Sequence, residues 1–294
     1  MFEKLLSERG LSLDRLKNFC DVVSEGSIAR AAGGELTRQS LYSRQIGQLE
    51  EFFGVELTRR KGKGLEITNA GHRLAEAARA QMQALEDFKH ECAGEPVDFR
   101  IAAGNSILEW LLIPQLAQIR SAIGDQRIHL FDMRSRDVIS GLTDHTLDFG
   151  VVRKSAVVTP LKFRPLAELG YALFYPEQWK ASDLKNGLDK LPLALPEGGE
   201  FADAVRSFSA KRGLKLNIIY HCTSLTQAAQ LVRMGVSGAI LPKIAAPSLG
   251  KSVKMMEIPW FATFRRQLGI VWHQRLVALR PKTELLLEAL STMK

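Results

Sequence analysis

Gln39, Ser40, Ser43, Arg44 and Gly47 lie at helical spacing within AAGGELTRQSLYSRQIGQLE, residues 31–50, and share one face of any helix formed there. The face is polar, low in profile and almost without carboxylates. A major groove about 12 Å wide admits a helix only if the side chains facing it are short or flexible and not anionic. Ser40, Ser43 and Gly47 are short, Gln39 can pair with an adenine edge, and Arg44 can reach guanine or a phosphate. Arg38 stands at the helix start, where the free N–H groups also favour a phosphate. Further on, two β-like pieces at 55–58 and 65–68 flank Arg59-Arg60-Lys61-Gly62-Lys63-Gly64. That pattern predicts a hairpin with a basic, glycine-rich tip, suited to a DNA backbone or minor groove. A solvated helix face beside a solvated hairpin is the alternative; the two features in this order favour DNA.

These residues need a frame. Ser12 can cap a first helix carrying Leu13, Leu16, Phe19, Cys20 and Val23, which Glu25-Gly26 ends. Ser27 can cap a short second helix, 28–33, and Gly33-Gly34 breaks it. Thr37 can cap a third helix, 39–53, held down by Ile46 and Leu49 and stopped by Gly54. Tyr42 falls in line with Ile46, which suits a core position, but a DNA contact stays open. Thr68 can cap a long helix, 70–92, whose apolar stripe is thin and alanine-rich. Such a helix requires a partner, and a second copy of itself is the natural one.

After residues 93–96 the texture becomes strand–helix alternation, which predicts a parallel α/β architecture. Asn105-Ser106 follows the first strand, and Thr223-Ser224 follows a later one; each precedes a helix and is either a ligand-binding N-terminus or a simple cap. Arg134, Arg136 and Arg153 fall near strand ends and lean towards an anionic small molecule between two lobes, with Ser135 a further candidate contact.

The net charge of +8 over 294 residues does not by itself argue for DNA. Residues 1–93 hold 14 basic and 14 acidic side chains, so the whole excess belongs to the remainder. Cys20, Cys92 and Cys222 match no zinc spacing or disulfide framework, which suits a reducing cytoplasm. Neither a secretory signal nor an apolar run of membrane-spanning length is visible. There is no Walker loop, dinucleotide fingerprint, G-x-S-x-G or H-E-x-x-H, and the six histidines show no metal spacing, so no cofactor and no catalysis are expected. A thiol sensor at His221-Cys222 is conceivable, but a buried or capping cysteine is the plainer reading.

The order and spacing of Leu16, Phe19, Gly26-Ser27, Ala31-Ala32, Gln39, Ser43-Arg44-Gln45-Ile46, Leu49-Glu50, Gly54, Leu57, Arg60, Ile67-Thr68 and Ala70-Gly71 resemble the LysR-type bacterial transcriptional regulators. Glu35, Arg38 and Thr58 depart from that family's usual Leu, Ser and Phe. The resemblance implies α/β with an N-terminal all-α winged helix-turn-helix, and a two-lobed, periplasmic-binding-protein-like α/β effector domain. The expected divisions are a DNA-binding domain at 1–69, a dimerising linker helix at 70–93 and an effector domain at 98–294. Its first lobe would take about 98–160 and 266–294, and its second 161–265. Expected partners are a promoter operator in double-stranded DNA, a small effector and further copies of the chain, as dimer or tetramer. The alternative is a cytoplasmic α/β solute-binding or enzymatic protein with a helical dimerisation module.

Overall fold

The computed structural model describes residues 10–61, 64–180, 187–274, 276–280 and 282–292. Three helices come first: α1 (Leu13–Glu25), α2 (Ile28–Ala31) and α3 (Leu36–Phe53). Ser12 and Ser27 cap the first two, accepting from the N–H groups of Arg15 and Arg30. The third begins earlier than the sequence predicts, with Glu35 at its cap and Thr37 inside its first turn. Gly33 and Gly34 explain this. Their φ angles of 63° and 84° are open to glycine, and Gly34 N–H returns to the Ala29 carbonyl at 3.0 Å. The chain reverses within two residues and enters α3 at once.

Phe19, Val22, Tyr42, Ile46, Leu49 and Leu57 form the core of this part, closed by Ala75 and Ala78 of the long helix α4 (Asn69–Ala93). Tyr42 is 4% exposed and is therefore core. Thr68 caps α4 by accepting from Gly71 N–H at 3.0 Å. A Cβ on Gly71 would lie 2.3 Å from the Leu57 carbonyl oxygen, so only glycine lets the helix start this close to the chain it crosses.

Beyond α4 lie two five-stranded sheets. The first, in order β4-β3-β5-β12-β6, contains β3 (Asp98–Ala103), β4 (Arg127–Asp132), β5 (Phe149–Arg153), β6 (Leu161–Leu169) and β12 (Arg266–His273). The second, β11-β7-β10-β8-β9, contains β7 (Tyr171–Pro176), β8 (Leu193–Pro196), β9 (Ile218–Cys222), β10 (Gly238–Pro242) and β11 (Val253–Glu257). The sheets are mixed, which corrects the all-parallel expectation. Strand β12 runs antiparallel to β5 and β6, and β7 runs antiparallel to β10 and β11. Strand β6 also escaped the sequence reading, and it extends the first sheet past residue 160, to Leu169. Pro165 reads as a strand breaker, but β6 is an edge strand, where a missing N–H is tolerated. The register shifts there as well: Leu268 faces Ala167 while Gly269 faces Pro165.

Candidate functional site

Helix α3 sets its polar face outward. Arg38, Ser40, Ser43, Arg44 and Gly47 are exposed, while Tyr42, Ile46 and Leu49 are buried on the opposite side. Two of these polar side chains have local partners. Gln39 donates from Nε2 to the Gly34 carbonyl at 3.1 Å and so braces the turn, and Ser40 donates to the Leu36 carbonyl at 3.1 Å. Arg38 lies 3.8 Å from the Glu35 carboxylate, a solvated pair that a phosphate can displace.

The hairpin beside α3 pairs β1 (Thr58–Lys61) with β2 (Gly64–Ile67), antiparallel, Arg60 opposite Leu65. The first strand begins later than the sequence predicts, so Arg59, Arg60 and Lys61 lie along a strand and not at its tip. Glu50 is the reason. Its Oε1 accepts from Leu57 N–H at 2.8 Å, Thr58 N–H at 2.9 Å and the Thr58 hydroxyl at 3.3 Å. That carboxylate holds residues 57–58 against α3 and fixes the hairpin relative to the helix. Sequence reasoning missed this role; the half-buried member of the Glu50-Glu51 pair, at the end of a helix with no other acid, was the available signal. Arg60 is exposed, and Lys63 lies outside the described residues.

The second site is a cleft of about 710 Å³ between the two sheets, lined by Asn105, Ser106, Arg134, Thr223 and Ser224 among others. Strand β3 delivers Asn105 at its carboxyl end, and β9 delivers Thr223 and Ser224. Proline 114 interrupts the helical run after Asn105, because it lacks an N–H and crowds the carbonyl of Trp110; a wide turn over Leu108–Leu112 absorbs the mismatch. Ser224 caps the helix Leu225–Arg233, accepting from Gln227 N–H, and Gln227 Oε1 accepts in turn from Thr223 N–H at 2.8 Å. Capping and cleft lining are thus the same arrangement. Thr226, which the sequence did not flag, donates from its hydroxyl to Asn105 Oδ1 at 2.6 Å and links the two lobes across the cleft.

The charge expectation needs correcting. Asp132 and Asp137 line the cleft with Arg134, so it is not simply cationic. Ser135 begins the helix Ser135–Thr143 beside Arg134. Arg153 is not brought to the cleft residues. It ends β5, pairs with Glu200 and shares that carboxylate with Arg266, 3.7 Å away at the start of β12. Burial, then the neighbouring Arg266 charge, lowers the Arg153 pKa. Two half-buried arginines, at the end of β5 and the start of β12, thus share one carboxylate.

Two family models match the chain: "Bacterial regulatory helix-turn-helix protein, lysR family" over residues 13–72, and "LysR substrate binding domain" over residues 94–293. The chain belongs to the LysR family of bacterial transcriptional regulators. Among relatives, the transcriptional regulator MetR of Haemophilus influenzae is 27% identical over 250 residues, covering 80% of this chain and 79% of that protein. A probable hydrogen peroxide-inducible genes activator of Mycobacterium leprae is 24% identical over 242 residues, covering 79% and 78%. The fold is shared with ArgP from Mycobacterium tuberculosis, with TM-score 0.67 and 18% identity over 96% of this chain and 98% of that one. Full-length LysG from Corynebacterium glutamicum, solved with bound effector Arg, gives TM-score 0.65 and 19% identity over 95% and 98%. This LysR regulator is therefore a DNA-binding transcription factor with an effector-binding domain. No helix among its described residues is long and apolar enough to cross a membrane.

A peroxide-inducible relative raises the question of thiols. Burial pushes the Cys20 thiol up to about 11 and raises Cys222 as well. Cys222 Sγ points at the Ser224 carbonyl, 3.4 Å away, within the helix cap. Protonated, buried thiols are poor nucleophiles, which supports a packing role for both.

Proposed function

We propose that this LysR regulator reads its operator with Arg38, Ser43 and Arg44 of α3, with Gln39 and Ser40 shaping the helix start. Arg60, Lys61 and Lys63 of the hairpin would bind the adjoining backbone. The observation that carries this reading is the polar outer face of α3 from Arg38 to Gly47, which holds no acid, set at a fixed angle to a basic hairpin by Glu50. Pairing through α4 would present two such units to a two-fold operator, with effector domains adding a tetramer contact. Leu85 and Phe88 are more than half exposed on α4, which supports a partner there.

A small polar effector would occupy the cleft at Asn105, Ser106, Arg134, Ser135, Thr223 and Ser224. Arg134 beside Asp132 and Asp137 favours a molecule carrying both an acceptor and a donor, such as an amino acid, over a bare anion. Binding across the Thr226–Asn105 link would shift the population of closed lobes. The protein would act in the cytoplasm by binding, without catalysis. Gel shifts on the DNA next to its own gene test the first half. Ser43→Ala and Arg44→Ala should each weaken specific binding by about 1–3 kcal/mol, roughly 5–150-fold. Unchanged specific binding in both variants would refute the assignment. A thermal-shift screen of metabolites tests the second half, since ligands of the folded state raise its stability.

A further inference from the structure

Three side chains from distant parts of the chain meet where α4 crosses the first lobe. Glu76 comes from α4, His145 from the turn after the helix Ser135–Thr143, and His273 from the end of β12. Their exposures are 19%, 7% and 2%. Glu76 Oε1 stands 2.7 Å from His273 Nε2 and 3.9 Å from His145 Nε2, and all three donor atoms lie within 4.8 Å of one another. The two imidazole rings are 4.3 Å apart between centroids. His145 adopts φ 55°, the one described non-glycine residue with positive φ, and that turn is what aims its ring at Glu76.

We propose that Glu76, His145 and His273 form a binding site for a divalent transition-metal ion of the zinc, cobalt or nickel class. Two imidazole nitrogens and one carboxylate oxygen are the donor set such ions take, leaving further positions to water or another ligand. With bonds of about 2.0–2.1 Å, donors around a tetrahedral ion lie roughly 3.3 Å apart. The 2.7 and 3.9 Å contacts straddle that spacing, so small side-chain rotations close the site. Two imidazoles from separate elements turned to the same carboxylate oxygen is the arrangement such a site needs.

The location gives the ion a mechanical role. Arg79, one turn along α4, donates to the Asp144 carbonyl at 3.0 Å, to the Cys20 carbonyl at 2.9 Å and to Ser24 Oγ at 2.7 Å. Its charge is answered by the Asp144 carboxylate, 3.7 Å away. The Glu76–Arg79 segment therefore touches the DNA-binding part and the first lobe together. A bound ion clasps the linker helix to that lobe and fixes the angle between them.

The test uses the full-length, tag-free protein, stripped with chelator and titrated with Co²⁺ and then Zn²⁺. Expected are visible d–d bands of a low-coordinate Co²⁺ site at one ion per chain, displaced by Zn²⁺. Zn²⁺ should also raise the melting temperature and slow amide exchange in residues 69–80 and 143–148. Glu76→Gln keeps size and removes the anionic ligand; His145→Asn removes an imidazole with a residue that tolerates the left-handed turn. Each should weaken metal binding by more than the about 10–100-fold that losing an outer-shell partner costs. His221→Asn, at a half-exposed histidine elsewhere, should bind as the parent does. Metal-free melting curves matching the parent verify that the variants fold. Absence of stoichiometric Co²⁺ bands in the parent, or unchanged affinity in both Glu76→Gln and His145→Asn, overturns the proposal.

Discussion

Arg280→Met is the sharpest test of how the linker helix is tied to the effector domain. Arg280 is 4% exposed and bonds to two carboxylates, Asp87 of α4 and Asp148 at the entry to β5, and to the Asp98 carbonyl at 2.8 Å. Asp148 also accepts from Arg100 N–H at 2.7 Å. Both carboxylates are themselves buried, Asp87 at 9% and Asp148 at 4%. Methionine fills much of the volume but leaves two buried carboxylates facing each other. Removing one partner of a buried pair costs about 3–5 kcal/mol. At roughly 2–4 °C per kcal/mol, the effector-domain melting temperature should fall by roughly 6–20 °C. The pH profile supplies the sign. Burial already holds the Asp148 pKa above its ordinary value despite the pull of Arg280, and removing that cation raises it further. A carboxyl raised in the folded state contributes stability below its unfolded pKa, and that contribution is lost as pH rises through the folded value. The variant's deficit should therefore be widest near neutrality and narrow as pH falls into the carboxylate range. Scanning calorimetry of both proteins from pH 7.5 to 4.5 measures this. A deficit under about 2 °C, or one independent of pH, would refute the reasoning.

Glu50→Ala removes three hydrogen bonds to a charged acceptor, each worth about 1.5–3 kcal/mol, and should free the hairpin from α3. Amide exchange at Leu57 and Thr58 should accelerate and operator affinity should fall; protection equal to the parent's would count against Glu50 as the anchor. Thr226→Val deletes the link to Asn105 and should weaken effector binding by about 0.5–1.5 kcal/mol, measured by calorimetry with whichever metabolite stabilises the parent. Iodoacetamide at pH 7.5 should label exposed Cys92 and spare Cys20 and Cys222 over the same interval, by intact mass and peptide mapping. Fast labelling of Cys222 would return it to the list of redox candidates.

The DNA-binding part was largely legible because its rules are local. Serine caps, the Gly54 stop and a 3.6-residue stripe through Tyr42, Ile46 and Leu49 are written within a few residues of where they act. What sequence missed was set at long range. Thr37 looked like a cap, but the turn at Gly33-Gly34 delivers the chain to Glu35 first. Residues 55–57 looked like a strand, but Glu50 holds Leu57 and Thr58 to the helix. Strand β6 hid behind Pro165, whose tolerance depends on lying at a sheet edge. Asn105, Ser106, Arg134, Thr223 and Ser224 were read singly, and their convergence depends on two sheets facing each other. The position of Arg153 on a strand end was legible, while its pairing with Glu200 was not. Histidine spacing pointed away from metal, because His145 and His273 are 128 positions apart and meet only once β12 returns beside β5.

The neutral charge count of residues 1–93 now has a physical meaning. A DNA-binding part with as many acids as bases is awkward if charge is averaged over its surface, but its acids are not spread evenly. Glu50 faces the hairpin backbone, Glu76 faces two histidines and Asp87 faces Arg280. Each is spent on joining one element to the next: helix to hairpin, and linker to lobe at two points. Glu35 and Glu56 sit beside Arg38 and Arg59 in solvated pairs that exchange readily for phosphate. Three of the fourteen carboxylates that cancel the charge on paper are thus fittings that join the elements around the reading face. Electrostatics supplies the joints, and the outer face of α3 is left to shape and hydrogen bonding. Affinity for DNA then depends on how α4 is anchored at Glu76 and Asp87 as much as on the groove-facing side chains, because those anchors set where two copies of α3 stand relative to one another.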